Sequence, residues 1–357
     1  MAPLSIMDVG FLGSAGGVTG VTGYWKELVR TELGSDAGLI TVSELSTHRY
    51  YTYLIYSITD HASGVSPQMR LNNNSNSVYN NRTSRDGASD SLAGQSSSGF
   101  LDAANRAEDY ICHGYLSNVA NEEKLTINHQ MYDNGIGASN APRRVEEVAK
   151  FVPSPEADVD EFNFYDNDGG GNTHIRAGSQ LIILGWVDTL THGIADNFWK
   201  FLGRTELSVA GDNIEVASFA AKEWLLVRDY LIPSIVSNIT RDITFNNDTG
   251  NNYADRNSFN GAADVTGINK SALDTTNLSN SPYFREYIIR NQSDKEKLMN
   301  LHAVDQQPAG AGNAPRRKEV VGKWINTSSQ ITTIDLTNTE AGIDYDVGSF
   351  IEVWGSN

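Results

Sequence analysis

Along this chain, short stretches rich in β-branched and aromatic residues recur, separated by Gly, Asn, Asp and Ser. Tyr50 to Tyr56, Lys124 to Asn128, Ser179 to Leu184 and Ile331 to Leu336 are typical. Such residues suit a pleated, half-buried surface, and the small polar residues between them suit turns, so the pattern predicts an all-β sandwich or barrel. Helical periodicity is scarce. The nearest candidate, Phe219 to Leu231, spaces its apolar residues too closely for a clean amphipathic stripe.

The same pattern occurs twice. Trp25-Lys26 and Arg30-Thr31-Glu32-Leu33 return as Trp199-Lys200 and Arg204-Thr205-Glu206-Leu207, an offset of 199 − 25 = 174. Leu71-Asn72-Asn73 through Tyr79 to Arg82 returns as Phe245-Asn246-Asn247 through Tyr253 to Arg256 at the same offset. Asn140-Ala141-Pro142-Arg143-Arg144 returns letter for letter as Asn313-Ala314-Pro315-Arg316-Arg317, each followed by a glutamate, Glu146 or Glu319. Gly178-Ser179 before an apolar run matches Gly348-Ser349, with the offset reduced to 170 as small loop deletions would reduce it. An internal repeat in register means two copies of one fold. The expected organisation is an extended N-terminal arm over residues 1–23, a first β-sandwich over 24–187, a short polar linker over 188–197, and a second sandwich over 198–357. So short a linker favours side-by-side packing about an approximate twofold axis, although head-to-tail stacking also satisfies it.

Charge and cysteine content narrow the function classes. A net charge of −17, from 44 acidic and 27 basic residues, repels phosphate backbones and anionic lipid surfaces, so neither a nucleic acid nor a membrane is an expected partner. No stretch approaches the roughly 18 apolar residues of a spanning helix. The single cysteine, Cys112, excludes an intrachain disulfide or thiolate metal cluster. Met1 to Gly23 is Gly-rich and apolar but lacks the basic start and long apolar run of a signal peptide.

The candidate chemistry lies mainly in the loops. Asn246, Asn247, Asp248, Gly250 and Asn252 offer oxygen ligands of the kind calcium takes, with Asp248 and Asn246 the candidate ligands. The first copy has Asn72, Asn73, Asn74, Asn76 and Val78 there, with no carboxylate, so turn chemistry accounts for the shared loop and no metal or other cofactor is expected. Asp166 to Asn172 begins like a calcium loop but lacks the downstream glutamate, which leaves a hairpin tip. His129 and His302 occupy equivalent positions, and neither has a second His or Cys at ligand spacing; both read as hydrogen-bonded strand histidines. The paired Arg143-Arg144 and Arg316-Arg317 read either as ion pairs with the following glutamate or as contacts to an acidic neighbouring subunit. Tyr79, Tyr253 and Phe259 are loop aromatics that could stack on a sugar. No nucleophile with its base, shared carboxylate pair or phosphate-binding Gly loop emerges; Asp86, for example, becomes Asn260 in the second copy, so a non-enzymatic role is expected.

From Arg204-Thr205-Glu206-Leu207, through Phe245-Asn246-Asn247-Asp248-Thr249-Gly250-Asn251-Asn252-Tyr253, to Trp324-Ile325-Asn326-Thr327-Ser328-Ser329-Gln330-Ile331-Thr332, the second copy resembles uncharacterised virion proteins of tailed phages. Leu33-Gly34-Ser35 matches their opening turn, and the first copy departs at Phe151-Val152-Pro153-Ser154-Pro155. The resemblance covers both domains but not the arm. It implies jelly-roll-like sandwiches in a virion structural protein of a tailed phage or archaeal virus, exposed on the particle as a tail or fibre component with a role in host attachment, or as a capsid decoration. The implied partners are other virion proteins, further copies of this chain and a host-surface glycan. A carbohydrate-binding module or glycan-active protein is the alternative.

Overall fold

The computed structural model describes residues 24–59, 67–97, 101, 108–153, 157–167, 173–187, 197–235, 239–274, 281–305 and 314–357. The expected arm, nearly all of the linker and the Asp168–Asn172 hairpin tip lie outside them. The described residues are all-β. In the first copy, β1 (Tyr24–Glu32), β3 (Tyr50–Ser57), β5 (Tyr79–Arg85), β6 (Ser91–Ser96), β7 (Tyr110–Ser117), β8 (Lys124–Tyr132), β9 (Arg143–Phe151) and β11 (Gln180–Val187) form a large sheet of order β1-β11-β3-β7-β8-β9-β5-β6. A small sheet of order β2-β10-β4 faces it, built from β2 (Leu39–Val42), β4 (Pro67–Leu71) and β10 (Phe162–Asp166). Every strand of the small sheet is entered from the large sheet and returns to it, the jelly-roll-like wrapping that closes a sandwich around one core.

The second copy repeats this strand for strand. Its large sheet comprises β12 (Lys200–Glu206), β22 (Phe350–Ser356), β14 (Trp224–Leu231), β18 (Tyr283–Arg290), β19 (Lys297–Asp305), β20 (Arg316–Trp324), β16 (Tyr253–Phe259) and β17 (Val265–Lys270), in that order. Its small sheet has β21 (Ile334–Thr337) between β13 (Asn213–Val216) and β15 (Asp242–Phe245). Even the irregularities coincide. The β1–β11 register slips between Glu27 and Val29, and the β12–β22 register between their counterparts Phe201 and Gly203. The β5–β6 turn has positive φ at Asp86 and Gly87, and the β16–β17 turn at Asn260 and Gly261. Two positive φ values in a row are what a type I′ hairpin turn requires, so Asp86 and Asn260 are turn formers.

The large sheets stack back to back. Leu54, Tyr56, Ile111, Met131, Ile182 and Leu184 from the first pack with Trp224, Leu226, Ile288, Leu298, Val321 and Trp354 from the second in a third apolar cluster, distinct from the two sandwich cores. The molecule is thus four layers deep, small sheet, large sheet, large sheet, small sheet. This explains the crowded apolar residues of Phe219 to Leu231. The segment contains strand β14, and both faces of β14 are buried, so its apolar residues run together as in a strand covered on two sides.

Inside the two sandwiches, equivalent positions differ in compensated pairs. Opposite residues Tyr53 and Gly114 in the first copy become Val227 and Tyr287 in the second, so a ring fills the space from one strand or from its neighbour. A Cβ at Gly114 would lie 2.1 Å from the Tyr53 ring. The opposite pair Ile55 and Cys112 becomes Asp229 and Arg285, both fully buried, with the Arg285 Nε 2.9 Å from Asp229. Arg285 also reaches Asp274 at 2.9 Å, and Asp274 takes Lys318 as a second partner. In the small sheets, Asn163 donates to Thr41 at 3.1 Å in the first copy, where the second has opposite carboxyl groups, Asp335 and Glu215.

These swaps lead to two predictions. Arg285→Ala leaves Asp229 buried without its cation and should cost about 3–5 kcal/mol, whereas Asp229→Ile with Arg285→Cys, the first copy's pair, leaves the Asp274–Lys318 pair intact and should recover most of the loss in chemical denaturation. A double variant no more stable than the single one contradicts this. Burial, with the Glu215 carboxyl beside it, raises the Asp335 carboxyl to about 7. A raised carboxyl stabilises the fold fully below its unfolded titration near pH ~4 and loses that contribution as pH rises through 7. Asp335→Asn should therefore gain about 1–3 kcal/mol on the wild type between pH 4 and pH 8, after allowance for solvent screening. Parallel melting curves for the two proteins across that range would contradict it.

Candidate functional site

Strand β8 faces β19 and β9 faces β20 across the back-to-back interface, so equivalent strands meet about an approximate twofold axis. A residue on such an axis meets its own counterpart. His129 and His302 do so, with ring centroids 3.8 Å apart. Each belongs to a polar row running across its sheet: His113, His129 and Glu146 sit side by side in the first copy, and Glu286, His302 and Glu319 in the second. Beside them the sheets part, leaving a cleft of about 520 Å³ whose walls include Arg82, Asp90, Arg144, Glu146, Arg317 and Glu319.

The row is electrostatically uneven. The His129 Nδ1 lies 2.5 Å from the Glu146 Oε2. Burial works against charge on His129, but Glu146 raises the imidazole above its ordinary value. Burial likewise works to raise Glu146, yet His129, His302 and Arg144 hold its carboxyl at about 2. His302 is pushed down to about 3 by burial and by the neighbouring His129, and it is therefore neutral. Its Nε2 is buried and takes no hydrogen bond among the described residues. On the far side, burial and both other histidines push His113 down to about 3.

The paired arginines diverge in their surroundings. Arg143 reaches Asp86 at 3.3 Å and Glu108 at 3.7 Å. Arg144 is 3% exposed and contacts Glu146 at 3.5 Å, but its closer partners are Asp264 at 2.7 Å and Glu319 at 2.8 Å, both in the second copy. The acidic neighbour is therefore the other half of the same chain. Gly87 lets the turns approach closely at this point, since a Cβ there would lie 2.5 Å from an Asp264 carboxyl oxygen. Arg316 reaches Asp305 at 2.9 Å, and Arg317, 63% exposed, reaches Glu319 at 3.2 Å.

The loop candidates have structural occupations. The Asn246 Oδ1 accepts from the amides of Thr332 and Thr333 at 2.8 and 3.0 Å, and Asn247 follows it with positive φ. Asp248 accepts from the Trp324 indole at 2.7 Å, the Gly250 amide at 2.8 Å and the Asn252 amide group at 2.9 Å, which commits the oxygens proposed for calcium. Where Phe151 replaces Trp324, no indole needs an acceptor, and Asn74 replaces Asp248. Tyr79 and Tyr253 correct an expectation: both are fully buried, and their hydroxyls donate to backbone carbonyls of Asn74 and Asp248 at 3.0 and 2.9 Å. Neither ring is available to stack on a sugar. The guanidinium of Arg316 covers Phe259, 5.5 Å from the ring centroid.

No ligand-spacing pattern links the two histidines, which are 302 − 129 = 173 residues apart. Their equivalence in the repeat, together with a twofold axis near those strands, is what links them.

The twin arginines provide a direct test. Arg144→Ala leaves Asp264 and Glu319 without their closest cation and should cost about 3–5 kcal/mol, whereas Arg317→Ala at the exposed twin should cost under about 1 kcal/mol. Equal thermal shifts for the two variants would show that the intercopy ion pairs do not matter.

No protein-family model matches the chain, and no curated protein matches it significantly. Among solved structures, it is similar to mouse laminin alpha1 chain domains LG4-5, at 9% identity over 99% of this chain and 93% of that one, with a TM-score of 0.18. The LG1-3 region of the laminin alpha2 chain matches at 9% identity over 89% of this chain and 64% of that one, with a TM-score of 0.21. Scores this low do not establish a common fold, and the architecture rests on the chain's own strand pairing.

Proposed function

We propose that this chain is a non-catalytic structural subunit of a virus particle, in which the two stacked sandwiches act as one rigid block that contacts neighbouring copies on the particle surface. The resemblance to virion proteins supports the class of particle. The observation that supports the contact is an apolar row on an otherwise acidic chain. Ile127, Val148 and Leu92, 38%, 49% and 69% exposed, lie across the first copy's large sheet with Arg82 between Val148 and Leu92, and the row runs outward from the cleft, whose wall includes Ile127, Val148 and Arg82. Leu125, 54% exposed, extends the row on β8. A chain of net charge −17 repels copies of itself, so a contact between copies gains most from uncharged surface. The row also ends at β6, whose outer edge pairs with no strand among the described residues, and an open edge is a template for association.

Two measurements test this. Immunogold electron microscopy of purified particles should place the chain on them, and gold confined to unassembled material would overturn the assignment. In sedimentation, the purified chain should self-associate, and Leu92→Asp with Val148→Asp should reduce that association at least tenfold with little change in melting temperature. Saturable binding on a glycan array together with a monomeric chain would favour the carbohydrate-binding reading.

A further inference from the structure

We propose that His129, His302 and Glu146 form a site for one zinc-class divalent cation, which clasps the two copies together at their approximate twofold axis. The observation is geometric: one ligand atom from each of the three residues lies within 4.8 Å of the other two. Two imidazoles and a carboxylate are a donor set that zinc accepts, with three protein ligands and a fourth position left to water or a further carboxylate. Zinc bonds of about 2.0–2.1 Å place neighbouring donors roughly 3.3 Å apart, so small side-chain rotations on the paired strands β8 and β9 and the facing strand β19 bring the donors to that spacing. A second observation is independent of the clustering. The His302 Nε2 is buried with no hydrogen-bond partner among the described residues, and a buried polar nitrogen left unpaired is costly. A metal bond would satisfy it.

The surroundings are compatible with an added cation. The nearest fixed positive charge, Arg144, is already held by Asp264 and Glu319 at 2.7 and 2.8 Å. Glu319, the counterpart of Glu146, stands on the cleft wall beside the open side of the cluster. Glu146 and His129 bond to each other without the ion. The ion would therefore take the place of the proton they share and draw in His302 from the other copy. Each copy supplies at least one ligand, so binding holds the two sheets together and stabilises the stacked form over any separated one. This inference does not depend on the virion reading, because its test uses only the purified chain.

The test is metal binding by the full-length chain after chelator treatment and removal of the chelator. Zinc should bind with a stoichiometry of one and raise the melting temperature, and cobalt should give the visible absorption of a low-coordinate nitrogen and oxygen site. His302→Gln and His129→Gln should each weaken zinc binding at least 100-fold, with the fold checked by melting in the presence of chelator. His113→Gln, in the same row but outside the cluster, should bind as the wild type does. A wild-type chain with neither a zinc-dependent melting shift nor a cobalt spectrum overturns the proposal, as does zinc binding that persists in a folded His302→Gln variant. If one glutamine variant fails to fold, the wild-type stoichiometry and the other variant still decide the question.

Discussion

Most of this structure depends on the burial of two large sheets against each other. A sheet with one wet face alternates apolar and polar residues, whereas one covered on both faces does not. Leu54 and Tyr56 point into the intercopy cluster while Tyr53 and Ile55 point into the sandwich, so β3 is apolar without a break from Tyr53 to Tyr56. Each large apolar side chain removed from water contributes about 1.5–3 kcal/mol, whereas a buried ion pair such as Arg144 with Asp264 must first offset the desolvation of both charges, so its net contribution is small even though breaking it is costly. Apolar contact therefore holds the copies together, and the charged groups at its margin set how they are oriented. Where the apolar cluster ends, the sheets part, and the cleft and its polar rows occupy that margin.

Duplication left two interiors that needed to agree only in outline. A single tyrosine ring is conserved in Tyr53 with Gly114 against Val227 with Tyr287, and charge balance in Ile55 with Cys112 against Asp229 with Arg285. Neither exchange works by halves. A tyrosine opposite Tyr53 would overfill the space, and an arginine opposite Ile55 would be a buried charge without a partner. The Phe151 and Asn74 pair against Trp324 and Asp248 follows the same logic at the loop, where an indole N–H needs an acceptor and a phenyl ring does not. Backbone devices could not drift in this way, and the positive φ values at Asn72 and Asn73 recur at Asn246 and Asn247.

Strand content and the repeat were legible in sequence because both rest on local pattern. The relation of the copies was legible only in part. A short linker limits separation, but nothing local distinguishes an outer face that meets water from one that meets a second sheet, and Phe219 to Leu231 was ambiguous for that reason. Tyr79 and Tyr253 sit at the ends of polar loops and read as loop aromatics, yet each begins a strand and turns inward, with its hydroxyl satisfied by the loop backbone. Asp248 looked like a cation ligand because sequence does not show that the indole of Trp324 reaches it. The arginine pairs lie in charged contacts, but which of the twins is buried depends on which copy's acids lie opposite.

The axis explains why the site lies where it does. In a duplicated chain, any residue on the axis is brought against its own counterpart, so a single histidine in the ancestral domain becomes two histidines in contact. Two imidazoles so close cannot both carry a proton without repulsion, and the environment divides the roles, with His129 bonded to Glu146 and His302 neutral. A homodimer would impose the same surroundings on both. Here the halves are covalently one chain and have diverged, with Arg144 buried between two acids of the other copy and Arg317 left in solvent. Covalent duplication therefore preserves the self-meeting geometry of a twofold axis and permits the two sides to differ, which is the condition for one partner to offer a neutral imidazole while the other is already paired.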